Sequence, residues 1–131
     1  MRCGTGPDRE AEMTHHIDWI EFVSNDNKAL AEFYGKLFGW KMQSFFPGYD
    51  VWMPESGPGG GFRENCPEGT PQTVVYVNVD NIDASLKLAE ELGGTVVVPK
   101  TEISPEVGWS AFFKDPTGNI VGLHQNPAGR S

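Results

Sequence analysis

The sequence is poor in the residues that mark several large classes of protein. It has two cysteines among 131 residues, and neither Cys3 nor Cys66 has the CxxC spacing of a zinc or redox site. No apolar run approaches the roughly 20 residues of a membrane-spanning helix. Residues 1–14 lack the apolar stretch of a signal peptide. We therefore expect a cytoplasmic protein with no disulfide and no membrane partner.

Positive charge is also scarce. Ten Lys and Arg face eighteen Asp and Glu, for a formal net charge of −8. Nucleic-acid binding normally requires a basic face, so no nucleic-acid partner is expected. An acidic balance of this kind would suit a cationic ligand. The hydrophobic fraction of 38% is ordinary for one globular domain.

The chain does contain the same strand–helix pattern twice. Residues 17–23 alternate as a strand. Ser24, Asn25 and Asp26 then offer helix N-caps, apolar residues follow at helical spacing from Leu30, and Gly39 ends the helix.

The second copy starts with the β-branched strand of residues 73–79. Asp80-Asn81 opens the next helix and Gly93-Gly94 closes it. Asp26-Asn27 and Asp80-Asn81 are offset by 54 residues, as are Gly39 and Gly93, which indicates an internal repeat.

Three short strands are predicted after each helix. They cover residues 41–46, 49–53 and 60–62 in the first half, and residues 95–98, 109–114 and 119–125 in the second. The turn Asp115-Pro116-Thr117-Gly118 precedes the last strand. We predict an α+β fold of two βαβββ modules, about 15–63 and 72–126, forming a single domain over residues 15–126 after a disordered tail, residues 1–14.

The chain resembles the vicinal oxygen chelate superfamily, which includes glyoxalases, bleomycin-resistance proteins and extradiol dioxygenases. The resemblance rests on "ALAEFYGKLFGW" (29–40), "VYVNVDNIDASLKLAEELGG" (75–94) and "FFKDPTGNIVGL" (112–123). It implies that the mixed sheet curls into a cup with the helices outside, and that the protein is a homodimer. It implies little about the reaction, because one fold hosts many chemistries.

Metal-using members take ligands from the first and last strands of each module. Those positions fall here on Trp19, Val74 and Gly122, with the fourth inside residues 59–61. None of these side chains can bind a metal ion. The resemblance therefore predicts no metal and no other cofactor.

Strand alternation and the resemblance together predict which side chains line the cup. The candidate ligand-binding residues are Trp19, Trp52, Gly60, Tyr76, Asn78, Trp109, Phe112 (with Phe113 as its alternative) and Gly122. Trp19 either stacks on a ligand or only fills the core. Tyr76 and Asn78 either contact a ligand or are inward-facing polar groups that contact water. Gly122 leaves room for a ligand or for a neighbouring ring.

Glu21 and His124 are the candidate catalytic residues. A carboxylate in mid-strand facing an aromatic cavity is costly unless it is paired, so Glu21 is either a ligand contact, a proton acceptor or a costly structural group. His124 is either a proton carrier or a solvated residue at the rim.

Three functions remain open from the sequence. The favoured one is a glyoxalase-like protein that lacks the metal centre and binds a small molecule in the cup between the modules. The second is a lyase or isomerase that uses Glu21 and His124 or a displaced metal. The third is a structural or regulatory module without a ligand.

Overall fold

The structure, a computed structural model, describes residues 15–71 and 73–127. The predicted disordered tail and Cys3 lie outside these residues. The elements in chain order are β1 (Ile17–Val23), α1 (Asn27–Phe38), β2 (Lys41–Phe46), β3 (Tyr49–Met53), β4 (Gly59–Arg63), β5 (Thr73–Asn78), α2 (Ile82–Glu91), β6 (Thr95–Ser104), β7 (Gly108–Lys114) and β8 (Ile120–Gln125).

The chain divides into two compact units. The first is Asp18–Val75, and the second runs from Tyr76 onward and includes residues 15–17. The strand order is β2-β3-β4-β1 in the first and β6-β7-β8-β5 in the second. In each, one parallel pair (β1 with β4, β5 with β8) adjoins antiparallel hairpins. The predicted α+β fold of two βαβββ modules is confirmed.

Both helices begin at a side chain that accepts a hydrogen bond from the first turn. The Asp26 carboxylate accepts from Ala29 N, and the Asn81 side chain accepts from Ala84 N. Gly39 ends α1 in the left-handed region, at φ 75°, where glycine pays no steric penalty. The two caps are 55 residues apart, one more than the sequence repeat suggested.

The first unit has an aromatic core under α1. Phe22 of β1 stacks on Trp52 of β3 and on Tyr34 of α1, with ring centroids 5.1 and 6.0 Å apart. Phe62 of β4 is fully buried against the same rings. Aromatic contacts thus join α1 to strands β1, β3 and β4.

The second unit has an aliphatic core under α2. Its buried members are Val79, Ile82, Leu86, Ala111 and Leu123. Strand β6 was predicted to end at Val98 but continues to Ser104, because Pro99 lies on the outermost strand and between register shifts. Proline is tolerated at such positions.

No helix in the described part of the chain is both long and apolar enough to span a membrane.

Candidate functional site

In the first unit, the candidate site lies on the sheet face that points away from the aromatic core. Trp19 and Glu21 of β1 stand beside Gly59 and Gly61 of β4, and Val51 of β3 pairs with Gly61 from the other side. Because side chains alternate along a strand, Tyr49 shares this face with them.

The Tyr49 side chain extends from β3 over β4, and its ring lies over Gly61. A β-carbon at position 61 would come within 2.3 Å of the Tyr49 ring and its hydroxyl, so only glycine leaves room for the ring. The ring thereby reaches β1, where Trp19 Nε1 donates a hydrogen bond of 2.8 Å to Tyr49 Oη.

Glu21 is 5% exposed, and two neighbouring side chains stabilise its negative charge. The Tyr49 hydroxyl is hydrogen-bonded to it, and Arg63 Nη1 lies 3.7 Å from Glu21 Oε1. Burial first, and then the charge of Glu21, raises the pKa of Tyr49 above its ordinary value. Tyr49 therefore stays protonated and acts as a hydrogen-bond donor to Glu21, not as a base.

Tyr49 and Arg63 were not among the residues predicted from the sequence. Tyr49 opens a predicted strand but was not assigned to a face of the sheet, and Arg63 lies just beyond the predicted end of its strand. The available signal was the buried carboxylate itself, since Glu21 required a donor or a cation from a neighbouring strand.

Trp52 and Gly60 lie elsewhere than expected. They are paired across β3 and β4 on the face that carries the core, and Trp52 is 2% exposed. A β-carbon at position 60 would come within 2.4 Å of the Trp52 ring. The structure thus places both in packing contacts of the core and leaves Trp52 almost no surface for a ligand.

In the second unit, Tyr76 covers Gly122. The two residues are register partners on β5 and β8, and a β-carbon at position 122 would come within 2.5 Å of the Tyr76 ring. Phe112 of β7 pairs with Gly122 from the other side and meets the Tyr76 ring edge-on, with centroids 5.5 Å apart. These three predicted site residues lie together, and the space left by the glycine holds a ring.

Asn78 and His124 are also register partners in this unit. The Asn78 side-chain nitrogen lies 3.4 Å from His124 Nδ1, and His124 Nε2 lies 2.8 Å from the Val107 carbonyl oxygen. A carbonyl can only accept, so Nε2 carries a proton and donates to Val107, while Nδ1 lies beside the Asn78 amide. His124 is therefore half-buried and oriented at both nitrogens, not a solvated group at the rim.

Trp109 was predicted to face the ligand but packs against the aliphatic core. Its ring also lies under the Lys100 ammonium, 4.7 Å from the centroid, at a distance typical of a cation–π contact. Trp109 and Phe112 are three residues apart on one strand, so they face opposite sides.

Glu21 and His124, the candidate catalytic pair, belong to different units. Each has hydrogen-bonding partners within its own unit.

Comparison with known proteins agrees with this architecture. The model of the Glyoxalase/Bleomycin resistance protein/Dioxygenase superfamily matches residues 16–123. The chain belongs to this superfamily.

Among superfamily relatives, the protein named "Putative glyoxylase CFP32" in Mycobacterium bovis and Mycobacterium tuberculosis is 32% identical over 125 residues, which cover 82% of this chain. The match covers only 44% of that relative's length. A glyoxylase-like domain-containing protein of Didymella fabae is 27% identical, over 85% of this chain and 94% of its own.

Solved structures share the fold at low identity. The Mn(II)-bound glyoxalase of Novosphingobium aromaticivorans has a TM-score of 0.65 and 16% identity, over 90% of this chain and 42% of that one. Methylmalonyl-CoA epimerase of Mycobacterium tuberculosis has a TM-score of 0.65 and 15% identity, over 86% and 88%.

The glycines covered by tyrosine in the two units offer no side chain that could bind a divalent metal ion. Gly61 and Gly122 supply no donor, and a tyrosine ring occupies the space over each. Across residues 15–71 and 73–127, no three His, Cys, Asp or Glu side chains are grouped so that they could hold a metal ion.

Proposed function

We propose that this chain is a glyoxalase-like protein that binds a small molecule without the metal centre of its metal-using relatives. The observation that carries the proposal is the tyrosine over a glycine in each unit. Tyr49 over Gly61 and Tyr76 over Gly122 put aromatic surface on β4 and β8, the last strands of the two units, from which the resemblance would take metal ligands.

The side chains on these faces suit a small organic ligand. The first unit offers Trp19 and Tyr49, which are joined by a hydrogen bond, and the second offers Tyr76 and Phe112 in edge-on contact. Aromatic walls with a few placed polar groups are typical of small-molecule sites.

The name of the mycobacterial relatives suggests glyoxylase chemistry for those proteins. This chain corresponds to less than half of their length, and Gly61 and Gly122 supply no side-chain donor for a metal ion. We therefore propose binding as the activity of this domain.

Two measurements test the proposal. Elemental analysis after dialysis should find no stoichiometric Ni, Zn, Mn or Fe, and one tightly held metal ion per chain would overturn the metal-free reading. A thermal-shift screen of small aromatic compounds should find at least one that raises the melting temperature, because a ligand that binds only the folded state stabilises it.

Matched variants locate the binding. Tyr76→Leu and Phe112→Leu should abolish the shift if the ligand lies in the second unit, and Trp19→Leu if it lies in the first. Leu92→Ala, at an exposed position just after α2, is the control and should leave the shift unchanged. A shift that none of these three substitutions alters, and that substitution of Phe46 or Tyr49 does not alter either, would place the ligand elsewhere and contradict the proposal.

The homodimer and the cytoplasmic location stay predictions. Light scattering that gives a monomer mass at micromolar concentration would contradict the first.

A further inference from the structure

Arg63 lies at the end of β4 on the same face as Glu21 and Tyr49. It is the register partner of Tyr49 on β3 and lies two residues beyond Gly61 along its own strand. Its side chain is 46% exposed, whereas Glu21 is buried. A molecule that approaches this corner of the sheet therefore meets the guanidinium before it meets the carboxylate.

The contact between Arg63 and Glu21 is an ion pair and not a hydrogen bond. The closest approach is 3.7 Å, which is outside hydrogen-bonding range. The pairing is thus Coulombic, and it holds the cation near the sheet. A guanidinium carries five such donors in a planar fork, which matches a carboxylate through two parallel hydrogen bonds.

An aromatic surface adjoins this cation. Phe46 of β2 is the register partner of Tyr49, so Phe46, Tyr49 and Arg63 form a row across three neighbouring strands. The two rings are 5.2 Å apart and only 15° from parallel. Phe46 is 51% exposed, so part of this surface is open to a planar ligand.

We propose that Arg63, Tyr49 and Phe46 form a binding site for a small aromatic carboxylate. The carboxylate lies against the guanidinium of Arg63, and the ring packs on Phe46. This inference rests on the proposed function and names its ligand class. It replaces the cationic ligand suggested by the overall acidity, because Glu21, a buried carboxylate on this face, already has the Tyr49 hydroxyl and Arg63 as partners.

Three probes of nearly equal shape test the ligand class. Benzoate, benzamide and benzamidine carry charges of −1, 0 and +1 at neutral pH, and their binding to the full chain can be followed by NMR chemical-shift titration. Benzoate should bind at least about tenfold more tightly than benzamide and should shift the resonances of Phe46, Tyr49 and Arg63. Charge-assisted bidentate bonds account for a difference of this size.

Variants separate recognition of the anion from support of Glu21. Arg63→Lys keeps the positive charge but loses the fork, and it should weaken benzoate about tenfold with benzamide unchanged. The double variant Glu21→Gln/Arg63→Gln removes both charges of the pair, so it should remain folded and still fail to distinguish benzoate from benzamide. Lys28→Gln, on the exposed side of α1 in the same unit, removes one charge elsewhere and is the control.

Several results would overturn the assignment. These are tighter binding of benzamidine than of benzoate, equal binding of all three probes, no binding of benzoate at millimolar concentration, and full benzoate affinity in Arg63→Lys and the double variant. If benzoate fails while a compound from the thermal-shift screen binds through Tyr76 and Phe112, this inference is wrong and the proposed function stands. If no compound of the screen binds either, both fail.

Discussion

The two units of this protein repeat one backbone plan around different cores. The first unit packs stacked rings under α1, with Phe22, Trp52 and Phe62 within 6.2 Å of one another. The second packs aliphatic side chains of α2 and β8, such as Leu86 and Leu123. The shared plan therefore follows from strand order, helix caps and turns, and each core satisfies it with side chains of its own.

The two units also use different residues on the sheet faces that point away from their cores. Each unit has a glycine on its last strand with a tyrosine ring over it, but the two tyrosines come from different strands. Tyr49 reaches Gly61 from β3, whereas Tyr76 reaches Gly122 from β5. The requirement common to both units is a ring-sized space without a β-carbon, and either neighbouring strand can supply the ring.

Truncation of the core should show the largest difference between the units. Trp52→Ala removes a ring that stacks on Phe22 and Trp40, and it should lower the free energy of unfolding by about 3–5 kcal/mol. Leu123→Ala in the aliphatic core should cost about 2–4 kcal/mol. Chemical denaturation followed by tryptophan fluorescence and circular dichroism measures both. A cost below about 1 kcal/mol for Trp52→Ala would show that this ring is not a core residue and would restore it as a candidate ligand contact.

A β-carbon at either covered glycine should have the next largest effect. Gly61→Ala drives out the Tyr49 ring and breaks its hydrogen bonds with Trp19 and Glu21, so we expect a loss of about 2–3 kcal/mol, while Gly122→Ala should cost about 1–2 kcal/mol. Urea unfolding curves give both values. Gly57→Ser, at a glycine with open space around it but a positive φ, shows the cost of backbone strain alone. Wild-type stability in Gly61→Ala would mean that the Tyr49 ring moves aside without loss.

Most of the fold could be predicted because local chemistry repeats in the sequence. The strand bounds Ile17–Val23, Lys41–Phe46 and Tyr49–Met53 match the prediction, and Asp26, Asn81 and Gly39 act as the expected caps. These features depend on a few adjacent residues. The extension of β6 to Ser104 was missed because Pro99 argues against a strand unless the strand is known to be at an edge.

The sites were harder to predict because they depend on register across strands. Strand alternation alone puts Trp109 and Phe112 on opposite sides of β7, so the prediction that both line the cup could not hold, and alternation does not show which of the two faces the core. A one-residue change in register reverses the two. Trp52 and Gly60 were misplaced in the same way, and Arg63 was missed because its relation to Glu21 exists only once β1 and β4 are paired.

Removal of one hydroxyl should have a moderate effect on stability that shrinks in alkali. Tyr49→Phe leaves Trp19 Nε1 and the Glu21 carboxylate without this partner, and it should cost about 1–2 kcal/mol at neutral pH. The folded state raises the pKa of Tyr49, so the stabilisation from its neutral form is complete below about pH 10, the unfolded value, and is lost as pH rises toward the folded one. Unfolding curves at pH 7, 9, 10 and 11 should therefore show a shallower alkaline decline in Tyr49→Phe. An identical decline in both proteins would contradict the buried, protonated Tyr49.

The smallest expected effect is confined to the turn of the second unit. Asp115 Oδ1 accepts hydrogen bonds from Thr117 N and Asn119 N, and Oδ2 accepts from Asn119 Nδ2. The Asn119 side chain first, and then its backbone N–H, lowers the pKa of Asp115 to about 2 from 3.8. A depressed pKa gives a stabilisation that is present above the unfolded value and is lost as pH falls through the folded one, here between about pH 4 and pH 2.

The first unit offers a comparison for this turn. Its β3–β4 connection, residues 54–58, contains Glu55 but no aspartate, so acid should loosen β7 and β8 before it loosens β3 and β4. Amide hydrogen exchange of β8 and β4, measured at pH 4 and pH 2.5 and corrected for the intrinsic rates, should show protection falling in β8 alone. Asp115→Asn keeps one acceptor oxygen but cannot ionise, so in that variant the protection of β8 should be the same at both pH values. Equal loss in β4 and β8 would mean that acid acts on the whole protein, and that the Asp115 turn does not distinguish the second unit from the first.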